Sequence, residues 1–146
     1  MEAHMSIAGA KELDRMLTAL PQKVGKKVTR SAVRAGAKVI AAKAKQNART
    51  IIGGHMGGLI AKALTPRAAK KQRRGEYRMN VLIRDNPEFR ETSADGVEHY
   101  IPAAIEYGHS KVAAIPFYRK AFEAEKERAL QAVIEETKRG VEEAAK

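Results

Sequence analysis

A chain of 146 residues with 44% hydrophobic but only 5% aromatic side chains is long enough for one domain, whose core must be built from Ala, Val, Ile and Leu. A formal net charge of +11 predicts attraction to a polyanion or to an acidic protein surface, without saying which. The chain has no cysteine and no long apolar run, which excludes a disulfide framework and a Cys-based zinc site and gives no reason to expect a membrane span.

The first five residues, MEAHM, lack the apolar stretch of a signal peptide and read as an added leader. Met5 is then the natural start, and a single domain occupies 6–146. Residues 1–74 hold 17 Lys/Arg against 3 Asp/Glu, whereas 75–146 hold 11 against 14, so the basic character belongs to the N-terminal half alone. Such a chain can bind a polyanion, and it can equally stack head to tail with copies of itself.

Leu13, Met16, Leu17 and Leu20 recur at helical spacing and predict a short first helix, with Pro21 ending it or opening the next. From Gln22 to about Thr50 the pattern is helical again, with a narrow stripe of Val24, Val28, Ala32, Ala35, Val39 and Ala42. Lysines and arginines cover much of the rest of this helix, from Lys23 to Arg49. The glycines of 51–58, IIGGHMGG, predict a flexible loop or sharp turn, and Leu59 to Leu64 reads as a short helix or strand. Thr65 to Gly75 is polar and basic and reads as a loop. Tyr77, Met79, Val81 and Ile83 alternate as in a half-buried strand, ended by the turn residues Asp85-Asn86-Pro87.

Asp95-Gly96 predicts a turn between two strands. Tyr100 to Tyr107 reads as extended or as a short irregular helix stopped by Gly108, and Pro116 suits the first turn of a final helix. In that helix Leu130, Val133, Ile134, Thr137 and Val141 share one face. The expected fold is α+β: two N-terminal helices, a small antiparallel β-sheet, and a C-terminal helix packed on the sheet. Within 100–122, Gly108 and Pro116 are expected to set the bends, with Tyr107 and Phe117 anchoring them in the core.

A search for chemistry finds no catalytic, cofactor-binding or metal-binding set. His55, His99 and His109 have no zinc-ligand spacing, and Ser6, Ser31, Ser93 and Ser110 have no nucleophile context. Glu98 and Glu106 form a nominal carboxylate pair, but a local salt bridge or cap explains Glu106 better. GGHMGG follows a basic helix and lacks the Gly-Lys-Ser/Thr ending of a phosphate-binding loop, so a connector is the better reading. The basic helix and Lys70-Lys71-Gln72-Arg73-Arg74 suit sequence-independent phosphate contact, yet the basic region carries no aromatic residue for base stacking.

Three stretches carry a resemblance: SIAGAKELDRMLTALPQKVGKKVTRSAVRAGAKVIAAKAKQNA, YIPAAIEYGHS and AAIPFYRKAFEAEKERAL. The first holds Gly9, Lys11, Glu12 and Leu13, then Ala32, Arg34, Ala35, Gly36 and Ala37. The second holds Tyr100, Ile105, Glu106, Tyr107 and Gly108, and the third Pro116, Phe117, Arg119, Ala121, Phe122 and Glu123. Together the sequence resembles the tail-completion, or head–tail joining, proteins of long-tailed double-stranded-DNA bacteriophages. It departs from them where IIGGHMGGLIAKAL replaces a Pro-x-x-Thr-Gly-x-Leu turn, leaving Gly58 and Leu59 aligned, and where His109 and Lys120 stand for Thr and Pro.

The resemblance implies a virion structural protein without enzymatic activity or cofactor. It implies a ring of its own copies, expected to be six-fold, between the phage connector and the tail tube, assembled in the host cytoplasm. Contacts are expected from loops 51–58 and 65–75 and from segment 106–116, with His55, Arg73, Arg74, Glu106, His109 and Lys111 as candidates. Non-specific DNA contact in the channel is a further expectation, and nucleic-acid binding through the basic half is the competing function.

Overall fold

The computed structural model describes residues 10–74 and 76–146, with side chains from Asp14 onward. Residues 1–9, on which the expectations for 1–5, Ser6 and Gly9 fall, and Gly75, together with the side chains of Lys11, Glu12 and Leu13, lie outside the described residues. Helix α1 (Ala10–Thr18) half-buries Met16 and Leu17, and Leu20 follows it into the corner. Pro21, extended at φ −52° and ψ 139°, then stands one position before α2 (Gln22–Asn47).

Helix α2 buries Gly25, Val28, Ala32, Gly36, Ile40 and Ala44. The stripe expected from apolar spacing shares only Val28 and Ala32 with this face. Ala35 and Val39 are half-buried and Ala42 is exposed. A strict four-residue step carries the buried ridge through Gly36, which a search for apolar side chains passes over. The small residues matter because α5 (Phe117–Ala144) runs antiparallel along this ridge.

At one end of the pair the Asn47 side-chain amide donates to the Phe117 carbonyl at 3.0 Å. Nearer the other end, the Ser31 hydroxyl donates to the Glu136 carboxylate at 2.8 Å. There is no room for a side chain at Gly140: a Cβ would stand 2.7 Å from Val28 Cγ1. The buried face of α5 is Ala121, Ala129, Val133 and Thr137, while Leu130, Ile134 and Val141 are half-buried.

After Asn47 the helix widens into a π turn, Ala48–Ile52, closed by the Gly53 N–H donating to the Ala48 carbonyl. Of the two expectations for 51–58, a flexible loop or a sharp turn, the sharp turn is what forms, and a helix follows it. Gly53 and Gly54 take positive φ (69° and 60°), and α3 (Gly54–Ala63) starts at once. A Cβ on Gly57 would stand 2.4 Å from the Ala48 carbonyl oxygen, so glycine is what lets α3 lie against the π turn.

The expected loop at 65–75 is corrected in part. Leu64–Ala68 is strand β1, paired antiparallel with β2 (Met79–Ile83) from Leu64↔Ile83 to Ala68↔Met79. Pro66 is tolerated because a two-stranded ribbon leaves each strand an edge. β2 keeps the expected alternation, with Met79 and Val81 buried and Ile83 half-buried. Asn86 then caps a 3-10 turn (Pro87–Phe89) by accepting from the Glu88 N–H at 2.9 Å, and Phe89 is fully buried.

A second antiparallel ribbon, β3 (Arg90–Thr92) with β4 (Glu98–Tyr100), leads into α4 (Ile101–Tyr107). The fold is therefore α+β with helices at the N terminus, as expected. Its strands form two separate ribbons rather than one sheet, and the main support of α5 is α2. β1 and β2 also rest on α2. α5 reaches β2 through the Tyr118 hydroxyl, which donates to the Val81 carbonyl at 2.7 Å. Phe89, Phe117, Ile60 and Leu64 fill the centre, where α2, α3, the first ribbon and α5 converge.

Candidate functional site

Pro116 precedes α5 but has no side-chain acceptor for the exposed N–H groups of the helix's first turn. Glu106, in the last turn of α4, supplies one. Its carboxylate accepts from the backbone N–H of Tyr118 at 2.9 Å and of Arg119 at 2.8 Å. The Arg119 guanidinium closes the arrangement, with Nε donating to the Glu106 carboxylate at 3.0 Å and Nη2 to the Glu106 carbonyl at 2.7 Å. A negative group at a helix N terminus also meets the positive end of the helix dipole. Glu106 is 0% exposed with both oxygens engaged. This corrects its place among the surface-contact candidates and agrees with the reading of it as a cap.

Between the two clamped helices the chain makes a knuckle. Gly108 takes φ 71°, and a Cβ there would stand 2.6 Å from the Ala114 nitrogen. His109 and Val112 exchange backbone hydrogen bonds at 2.9 and 3.1 Å, and the Ile115 N–H donates to the Ile105 carbonyl at 2.7 Å. Gly108 and Pro116 set the bends as expected, and Phe117 is the expected anchor at 0% exposure. Tyr107 is not an anchor. It is 58% exposed, with its ring under the Arg119 guanidinium at 4.9 Å. An aromatic beside a glycine turn reads as core in sequence, but here the cation on the next helix holds it at the surface.

The remaining candidates scatter. His109 and Lys111 are exposed on the knuckle, next to the outward-facing Val112 and Ile115. His55, at the start of α3, meets the Glu88 carboxylate at 2.8 Å, which ties α3 to the 3-10 turn. Arg73 and Arg74 lie elsewhere, on the connector between β1 and β2. They belong to a feature that the sequence does not announce: a cleft of about 1200 Å³ between α1, α2 and that connector.

Lys26, Arg30 and Arg34 stand on the α2 side of this cleft and Lys70, Arg73 and Arg74 on the other. None of the six forms an ion pair among the described residues. Arg30 lies over the Tyr77 ring at 5.8 Å. The charge runs 26, 30, 34 and 70, 73, 74 are separate in sequence, so only the fold brings them face to face. No cluster of three or more metal-ligating side chains exists among the described residues, and no described helix is long and apolar enough to cross a membrane.

A comparison with protein families matches residues 11–101 to the family described as "Bacteriophage HK97-gp10, putative tail-component". The chain belongs to the HK97-gp10-like tail-component family. No curated protein and no solved structure gives a significant match. The matched span of this HK97-gp10-like chain runs from α1 to the first residue of α4, including the basic cleft and both ribbons but not the Glu106 clamp. A tail component is part of the virion. The resemblance seen in the opening helices is therefore carried by the matched span, and the 106–117 motif stands on its geometry.

Proposed function

We propose that this HK97-gp10-like protein is a structural component of the head–tail junction, acting as a tail-completion or neck protein without catalysis. Its copies assemble as a ring, with six as the expected number, around the channel through which DNA passes, and the ring joins the tail tube to the capsid connector. The observation that carries this reading is membership of a tail-component family over residues 11–101. The separation of charge supports it, because a ring needs two different, complementary patches on each copy. Assembly would take place in the host cytoplasm, before the protein reaches its position in the neck.

The test is a phage lacking the gene, viewed by electron microscopy. Filled heads and finished tails that fail to join, restored by supplying the protein, are the expected result. Normal joined particles would overturn the proposal. The unpaired cations of the cleft favour a second reading, non-specific nucleic-acid binding. A gel shift with duplex DNA that persists at near-physiological salt and weakens steeply above it supports that reading. No shift at low salt removes it.

A further inference from the structure

The β3–β4 ribbon is unlike the rest of the fold. All six of its strand residues are exposed, so both of its faces meet water. A lone two-stranded ribbon is marginally stable in water. This one is held at its base, where Phe89 is fully buried and meets the Tyr100 ring edge-on at 6.3 Å. Beyond that base it projects. Gly96, at φ 81°, makes the tip, with its N–H donating to the Ser93 carbonyl and the Ser93 N–H donating to the Val97 carbonyl. Val97 is 49% exposed beside it.

The arm is acidic. Residues 90–100 carry three carboxylates, Glu91, Asp95 and Glu98, against one cation, Arg90, and Arg90 is already held by Asp85 at 2.8 Å and Glu98 at 3.3 Å. The cleft has the opposite balance, with six cations against two carboxylates, Asp14 and Glu76, and with Leu17 and Val33 along its lining. Phosphates would use only its charge. An acidic protein arm with an apolar tip uses the charge and the apolar lining together.

We propose that the β3–β4 ribbon of one copy inserts into the basic cleft of a second copy, with Val97 toward the apolar lining and Glu91 and Glu98 toward the six cations. This rests on the ring reading and names its contact. The arm leads into α4, whereas the cleft lies between α1, α2 and the β1–β2 connector. The contact therefore joins two different patches and runs head to tail, the kind that closes rings.

The absence of cysteine from the chain gives a clean test. Val97→Cys and Ala69→Cys are placed on separate full-length chains, mixed and oxidised, in assembled tails or at high protein concentration. A covalent dimer is expected in the mixture, about tenfold above either variant alone, because a specific contact raises the local thiol concentration. The double variant is expected to give a ladder of multimers. Adding Glu91→Lys should lower the yield several-fold, and combining it with Arg73→Glu should restore it.

Lysine-reactive cross-linking of the unmodified chain separates the two claims. A multimer ladder there without the Val97–Ala69 link overturns the arm-in-cleft contact and leaves the ring. No multimers in either experiment overturns both. Absence of the link, with duplex DNA shielding Arg73 and Arg74 from chemical modification, overturns the contact in favour of nucleic acid.

Discussion

Replacing Glu106 by alanine removes the acceptor for two helix N–H groups in one step and releases Arg119 from its carboxylate. Loss of a cap together with unsatisfied buried donors is expected to cost about 3 kcal/mol, with glutamine costing less because it keeps one acceptor oxygen. Thermal melting of the two variants against the parent checks both the size and the order. Gly108→Ala should destabilise by more than about 1 kcal/mol, since a positive φ and backbone atoms within 3 Å of the new Cβ both oppose it. Of this site, Gly108 and Pro116 were legible in the sequence because a turn glycine and a helix-opening proline act locally. The reach of Glu106 to a helix that begins eleven residues later, and the exposure of Tyr107, follow from how two helices meet, which no local pattern carries.

At the level of elements, the α2–α5 pair depends on close approach. Gly140→Ala is expected to cost roughly 1–3 kcal/mol from overpacking against Val28, partly offset by about 1 kcal/mol of helix propensity. If that contact is the cause, Val28→Ala/Gly140→Ala should be more stable than the sum of the single losses, as a double-mutant cycle in urea will show. The pair also contains a pH-dependent link. Hydrogen bonds from Arg139 and Ser31 hold the Glu136 carboxyl well below its ordinary value of 4.5, at about 2. A depressed value means the charged form is favoured by folding, so the stabilisation is full above about pH 4.5 and lost as pH falls toward 2. The stability gap between the parent and Glu136→Gln, followed by melting from pH 7 to pH 2, should close over that interval. β2 was legible in the sequence through its alternation. β1 was not, because Thr65-Pro66-Arg67 looks like a loop until a partner strand is in place. The glycines at 53, 54 and 57 signal a break in any reading, but whether they serve flexibility or tight contact depends on Ala48, which the fold brings beside Gly57.

Across the whole molecule, family membership and fold have different extents. The match stops at Ile101, yet the ridge Val28, Ala32, Gly36, Ile40 and Ala44 is covered by α5, which begins at Phe117. A fragment ending at residue 101 should therefore lose cooperative unfolding and much of its helical signal, because helices of this kind draw most of their stability from tertiary packing. Circular dichroism with a thermal scan distinguishes that outcome from an independently folded unit. The charge imbalance between the two halves was legible from composition. The cleft that gathers six cations was not, since it takes one helix and one inter-strand connector to make its two sides.

The Glu106 clamp has a consequence for how this chain can change. It fastens the end of α4 to the start of α5, and residues 109–114 run outside that fastening with their side chains in solvent. The composition of these side chains is thereby uncoupled from the two helices, while the backbone of the knuckle stays fixed against Gly108. The knuckle is a place where side chains can be exchanged at little cost to folding, so that one scaffold can vary what it displays there.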